Sequence, residues 1–129
     1  MTVENFLLYE SMRLYTRRRH NGVYGLYTKF MIFKDHPIIN INSGDKQDSR
    51  DFRTIETDAG HFMHPEGMFT NHSCNPTAYV NKEKGMLFAK RDIPANEEIT
   101  FNYLDTETEL AISFSCKCGA IDCIGEVSK

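Results

Sequence analysis

Cys74, Cys116, Cys118 and Cys123 are the only cysteines in this chain of 129 residues, and their spacing defines one piece of chemistry. A lone upstream Cys followed by a tight Cys-x-Cys-x4-Cys cluster supplies the four thiolates that a tetrahedral zinc ion takes at ~2.3 Å, with none left over. Such a site is structural and ties the C-terminal tail to the middle of the chain. Two disulfides are a rival reading and would suit a secreted domain. Met1 to His20, however, has neither the continuous apolar run nor the small-residue cleavage site of a secretory signal peptide. The plainer rival is four unlinked thiols packed as small hydrophobes. Against it, the Cys116-Lys117-Cys118-Gly119 turn lies in a polar tail with little core to join. One structural zinc in a reducing, intracellular setting is the expectation.

Two more stretches carry side chains able to handle a ligand. Asn71-His72 comes just before Cys74, and Tyr103 closes the run Glu97-Glu98-Ile99-Thr100-Phe101-Asn102. A tyrosine hydroxyl, with an ordinary pKa of ~10, is a poor general base near neutral pH, so it would orient a reacting group. The bland alternatives stand beside these readings: a loop Asn-His pair satisfied by local backbone, and an aromatic packed at a strand end.

The elements that must position these groups read mostly as β. Met12 to Thr16, Val23 to Phe33, Pro37 to Ile41, Phe52 to Thr57 and Thr77 to Val80 are short apolar or alternating stretches bounded by turn residues. Lys82-Glu83-Lys84-Gly85 separates Ala78-Tyr79-Val80 from Met86-Leu87-Phe88-Ala89 as a hairpin, and Ile99 to Tyr103 forms a final strand. Asp45 to Asp51 reads as a loop, and a short helix is expected near Thr106 to Ile112. The fold expected is mostly β, with no repeats, low-complexity tracts or linkers.

Composition bounds the rest. A hydrophobic content of 40% with 12% aromatic residues is enough for one modest core, which excludes a disordered chain. No apolar run approaches the ~20 residues of a membrane-spanning helix, so no membrane partner is expected. The net charge of -3 hides an asymmetry. Arg13, Arg17, Arg18 and Arg19 crowd the start, while Glu97, Glu98, Asp105, Glu107, Glu109, Asp122 and Glu126 dominate the last third. The acidic half is poorly suited to phosphates, so no direct nucleic-acid binding is expected; the alternative for each cluster is a solvated face. A homodimer is left open.

Three motifs in order carry a family resemblance: Phe69-Thr70-Asn71-His72-Ser73-Cys74-Asn75-Pro76, then Glu97 to Tyr103, then Cys116-Lys117-Cys118-Gly119 with Cys123. They resemble the signatures of a SET domain with its cysteine-rich post-SET tail, and the likeness reaches upstream through Thr54-Ile55-Glu56 and His61 to Gly25-Leu26-Tyr27. The resemblance implies a SET fold of small curved sheets with a C-terminal pseudoknot, in which the Asn-His-Ser-Cys segment crosses the last strand. It implies residues 1–114 as the SET domain, with 1–11 as an N-terminal extension, and 115–129 as the zinc-binding tail. The activity implied is that of a protein-lysine methyltransferase using S-adenosylmethionine on a protein or peptide with a target lysine. Tyr103 would be catalytic, Phe101 would line the substrate channel, and Tyr24, Gly25, Phe69, Asn71, His72 and Phe114 would bind the cofactor. Phe101 stands two positions before Tyr103, where the family tunes product state; a Phe there implies di- or trimethylation.

The chain departs from the family pattern at several positions. Gly22-Val23-Tyr24-Gly25 replaces G-x-G, Met68 stands where an Arg often lies, and Asn102 replaces the Asp before the tyrosine. Asn42 falls close to the position of a tyrosine that many members keep near the end of the N-terminal sheet. None of these removes a reacting atom. Two other functions stay open: a catalytically silent zinc-stabilised module binding a basic peptide, and a methyltransferase for small molecules or amino termini.

Overall fold

Short runs of branched and aromatic residues between turns leave this chain few long elements. The computed structural model describes residues 12–19, 22–116, 118, 120–121 and 123–128. The expected extension over 1–11, Asn21 of the first turn, and Lys117, Gly119 and Asp122 of the tail lie outside the described residues. In chain order the strands are β1 (Leu14–Arg18), β2 (Tyr24–Thr28), β3 (Pro37–Asn40), β4 (Asp45–Gln47), β5 (Ile55–Thr57), β6 (Gly60–Met63), β7 (Asn71–His72), β8 (Ala78–Asn81), β9 (Met86–Ala89) and β10 (Glu98–Phe101). A one-turn helix, α1 (Tyr103–Thr106), and the strands β11 (Phe114–Ser115) and β12 (Glu126–Val127) follow. They form four small sheets, ordered β1-β2-β10-β7, β3-β9-β8, β4-β6-β5 and β11-β12. This is the mostly β architecture of small sheets that the sequence predicts.

One core joins the sheets. Leu26, Ile38, Ile39, Ile41, Leu87, Ile93 and Ile99 are fully buried, each contributing roughly 1.5–3 kcal/mol by leaving water. The β8–β9 hairpin forms as the sequence predicts, and its second strand alternates with Leu87 and Ala89 inward. Its turn closes on Gly85, at φ 66°, where a Cβ would lie 2.0 Å from Asn42 Nδ2. Asn42 also accepts a hydrogen bond from the Thr57 hydroxyl at 2.8 Å, so it braces the hairpin turn against β5.

The sequence reading lacked β6, β7, β11 and β12, its last strand ends at Phe101 instead of Tyr103, and two further elements differ from it. Asp45 to Gln47, expected within a loop, form β4, an antiparallel edge strand on β6 with Lys46 opposite Phe62. Pairing there is made by backbone groups at an exposed edge, so it requires no apolar alternation. The helix expected over Thr106 to Ile112 instead starts at Tyr103, capped by Asn102, whose side chain accepts from the Leu104 amide at 3.0 Å, and ends at Thr106. It stops because the next residues are captured by β5. Glu107 accepts from the Glu56 amide at 3.0 Å, and the Thr108 amide donates to Glu56 Oε1 at 3.1 Å.

The motifs meet in the four-stranded sheet. β7 lies parallel to β10, with Asn71 opposite Thr100 and His72 opposite Phe101, and this pairing is how the Asn-His-Ser-Cys segment and the last long strand meet. The Ser73 amide donates to Phe101 O at 3.1 Å, and Thr77 is tied to both ends of the same strand. The basic cluster is dispersed. Arg13 is buried and donates to Ile38 O at 2.9 Å, Arg17 stacks on Tyr27 at 4.3 Å, and Arg19 pairs with Glu98. Arg13 and Arg19 are thus built into the fold, whereas Arg17 and Arg18 stay exposed, as on a solvated face.

Candidate active site and metal centre

The tail returns to the middle of the chain through its thiols. The sulfur atoms of Cys74, Cys116, Cys118 and Cys123 all lie within 4.8 Å of one another, and Cys74 Sγ is 4.0 Å from Cys116 Sγ. Four sulfurs on a ~2.3 Å tetrahedron are spaced at nearly that distance, so the donor set fits one zinc ion. All four cysteines are free and partly buried. Burial pushes the Cys116 thiol up to about 12, while the Ala120 and Cys74 amides and the neighbouring thiols overcome burial at Cys118 and bring it down to about 6. Thiols this close cannot all ionise together unless a cation lies among them, and a zinc ion would meet that need.

Beside the thiols opens a cleft of about 410 Å³. Its walls come from Arg19 and Val23, the 50–55 segment, Gly67 with Met68, Thr70 to His72, Phe101 with Tyr103 and Glu107, and from the tail Leu110 to Ile112, Phe114 to Cys116 and Cys118. Four rings form its floor: Phe101 and Tyr103 are 4.8 Å apart by centroid, His72 and Tyr103 5.3 Å, and Phe114 stands edge-on to His72 at 5.7 Å and to Tyr103 at 5.8 Å. The His72 Nδ1 accepts from the Tyr103 amide at 3.0 Å, which assigns the proton to Nε2, 3.5 Å from Cys74 Sγ. Burial lowers the pKa of His72 despite Asp105, keeping the ring neutral. The Tyr103 hydroxyl donates to Thr70 O at 2.6 Å. Burial, with the charges of Glu107 and Glu98 behind it, pushes its pKa far above the ordinary value, so it stays protonated.

Glu98 is the hub that holds Asn71. Its Oε1 accepts from Arg19 Nε at 3.0 Å and Nη2 at 2.6 Å, and its Oε2 accepts from Asn71 Nδ2 at 2.9 Å. Asn71 Nδ2 also reaches Tyr24 O at 2.9 Å. A Cβ on Gly25 would lie 2.7 Å from Glu98 Oε2, so any larger residue there would have to displace this carboxylate. Asn71, His72, Phe101, Tyr103 and Phe114 therefore share the cleft with Cys116 and Cys118. Tyr24, Gly25 and Phe69 do not line it. Gly25 acts through Glu98, and Tyr24 lies at the surface with its ring 6.1 Å from that of Phe69. Asn42 does not line it either.

A buried acid at the cleft was missed from sequence. Glu107, four positions beyond Tyr103, is 6% exposed, lines the cleft and meets Glu56 and His61 within 4.8 Å. Burial pushes its carboxyl up to about 7 against the stabilising Glu56 amide; the Glu56 carboxylate adds to the rise, and Lys82 and Arg50 oppose it. At Glu56 burial would also raise the pKa, but the Lys82 ammonium at 2.7 Å and the amide and hydroxyl of Thr108 hold it down at about 2. No signal in the sequence marks Glu107 as buried. Glu98 and Arg19 did lie inside stretches that stood out, as part of a motif and of a basic cluster.

The fold and site define a small β protein in which a thiol cluster and an aromatic-floored ligand cleft share a wall. The family model described as the SET domain matches residues 18–104, and the chain belongs to that family. A putative histone-lysine N-methyltransferase 1 of Plasmodium falciparum is 30% identical over 92% of this chain and 2% of its own length. A histone-lysine N-methyltransferase, H3 lysine-36 specific, of Aspergillus oryzae is 46% identical over 46% of this chain and 7% of its own. This chain thus spans a small fraction of those curated relatives. Among solved structures, the methyltransferase domain of human SETMAR superposes with a TM-score of 0.61 at 24% identity, covering 87% of this chain and 56% of that one. KRYPTONITE, solved with mCHH DNA, an H3(1-15) peptide and SAH, gives 0.59 at 20% identity, covering 88% and 29%. Both likenesses bear on the fold. Among the described residues, no helix is long and apolar enough to cross a membrane.

Proposed function

We propose that this chain is a protein-lysine N-methyltransferase that uses S-adenosylmethionine and adds two or three methyl groups to its target lysine. The observation that carries the reading is the convergence of Asn71, His72, Phe101, Tyr103 and Phe114 on one cleft walled by the four-thiol cluster. Family membership, relatives named as histone-lysine N-methyltransferases, and a neighbour solved with a histone peptide and SAH support it. The cleft's volume lies in the range of small-molecule sites.

Asn71, His72 and Phe114 would hold the cofactor, which supplies a methyl group already activated by its sulfonium charge. Zinc, held by Cys74, Cys116, Cys118 and Cys123, would keep the tail wall in place. Tyr103, protonated and anchored on Thr70 O, orients the amine and excludes water from it. Phe101 is buried beside Tyr103 and carries no hydroxyl to anchor a water, so a methylated amine can rotate and present its lone pair again.

The test is incubation with labelled S-adenosylmethionine and core histones or a lysine-peptide array, followed by mass spectrometry at exhaustive turnover. Di- or trimethyl-lysine is expected from the wild type, and a shift towards monomethyl-lysine from Phe101→Tyr. Monomethyl-lysine alone from the wild type refutes the product assignment. Absence of any transfer, with no calorimetric binding of cofactor, refutes the enzyme.

A further inference from the structure

A lysine side chain reaches a protein surface as an ammonium, whereas methyl transfer needs a neutral amine with a free lone pair. Something in the cleft must take a proton, and most of its ionisable groups are already committed. Tyr103 donates its proton to Thr70 O, and His72 has one ring nitrogen engaged by the Tyr103 amide and the other at Cys74. Asp51 sits at the exposed rim paired with Arg53, and the cysteines belong to the metal cluster. The arginines hold their protons at any working pH.

Building on the methyltransferase reading above, we infer that Glu107 is the proton acceptor of this cleft, and that His61 returns the proton to water. Glu107 is buried and lines the same cavity as Tyr103, whose carbonyl accepts its backbone amide at 2.8 Å. Behind it, Glu56 on β5 stands directly opposite His61 on β6, and ligand atoms of the three residues lie within 4.8 Å. The Nδ1 of His61 is buried with no hydrogen-bond partner, so in the tautomer that leaves it bare it can take up a proton. The residue as a whole is only partly buried, which gives the proton a way out.

These three residues could be taken for a cation site by distance alone. Lys82 argues otherwise: its ammonium already occupies Glu56 Oε2, and Thr108 donates twice to Oε1. The groups facing Glu107 are thus Glu56 from β5, His61 from β6, Lys82 from the β8–β9 turn, Arg50 from the cleft rim and Tyr103 from α1. Their summed effect, dominated by burial, puts the Glu107 carboxyl at about 7, where it is half ionised at neutral pH and matched to its task.

The balance is simple. One N–H bond of the ammonium breaks as one O–H bond forms on Glu107. The freed lone pair makes the new N–C bond while the methyl–sulfur bond breaks, and its electron pair stays on sulfur. The methylated product leaves as a cation, and Glu107 passes its proton through the His61 ring to solvent, one proton released per methyl group added.

Two measurements test this. In the protein without cofactor, carbon-13 NMR of the glutamate carboxyls should show Glu107 titrating near 7. With S-adenosylmethionine and core histones, wild-type kcat/KM should fall about tenfold per pH unit below that point. Glu107→Gln should lose about 100-fold at pH 7 and recover towards wild type as pH approaches the ordinary amine range. A Glu107 carboxyl titrating near 4.5, or an unchanged pH profile in Glu107→Gln, overturns the assignment and leaves methyl transfer standing. No transfer by the wild type at any pH brings down the underlying methyltransferase reading, and this step with it.

Discussion

At the scale of single residues, the proposed chemistry divides between Tyr103 and Glu107. The Tyr103 hydroxyl makes one hydrogen bond, to Thr70 O, and contributes little binding surface. Tyr103→Phe should therefore lower kcat strongly, by 100-fold or more, with cofactor affinity by calorimetry nearly unchanged. Wild-type turnover in that variant removes Tyr103 from the transfer centre. Glu107 leaves a mark on stability as well. Its folded pKa of about 7 lies above its ordinary 4.5, so the fold prefers the protonated acid. The cost of ionising it is absent below pH 4.5, grows between 4.5 and 7, and is fully present above 7. Glu107→Gln keeps an acceptor for the Glu56 amide, so it should match the wild type near pH 4 and exceed it by on the order of 2 kcal/mol above pH 7, read by urea denaturation. Glu56 has the opposite sign: its stabilisation is complete above 4.5 and fades as pH falls towards 2. The place of Tyr103 in the cleft was legible because its motif marks it. Glu107 was not, because burial is a property of what packs around a side chain, and β5 lies about fifty positions away in sequence.

At the scale of elements, the site depends on two segments held side by side. Thr77 makes that junction specific: its hydroxyl donates to Glu98 O at 3.1 Å and accepts from the Thr100 amide at 3.0 Å, and it is buried. Thr77→Val keeps the shape but leaves the Thr100 amide without its acceptor, which should cost about 1–3 kcal/mol in chemical denaturation. A loss below ~0.5 kcal/mol would show that the junction rests on β7–β10 pairing alone. Most strands that feed the core were readable from branched residues and turns, since their inward side chains join one cluster. The register between β7 and β10 was not, because parallel pairing of distant segments leaves no local periodicity. β4 and α1 failed for related reasons. One pairs through its backbone at an exposed edge, and the other is cut short by hydrogen bonds to β5 that outweigh the helical propensity of the residues after it.

At the scale of the whole molecule, the fold is a core with a tail folded back over its cleft, and the tail brings little apolar surface of its own. The two-residue strands β11 and β12 pair Phe114 with Val127 and Ser115 with Glu126, and only Val127 is fully buried there. A two-stranded ribbon of that length is not stable alone, so the thiol cluster must supply what packing does not. The core is different: its buried Ile and Leu residues come from sheets that lie outside residues 114–127. The sequence marked this division through four cysteines, three of them in a polar tail. What it hid is that Phe114, on the first tail strand, is also a ring of the cleft, edge-on to His72 and Tyr103. If zinc and cofactor bind as proposed, that ring couples the two sites. Elemental analysis should find about one zinc per chain, and chelation should speed amide hydrogen exchange over 114–127 while the β3-β9-β8 sheet keeps its protection. The same chelated protein should bind S-adenosylmethionine at least tenfold more weakly, because one wall of the cleft has been released. Global unfolding on chelation would make the metal part of the core. A disulfide map linking the cysteines in pairs, or unchanged cofactor affinity in the metal-free chain, would break the coupling outright.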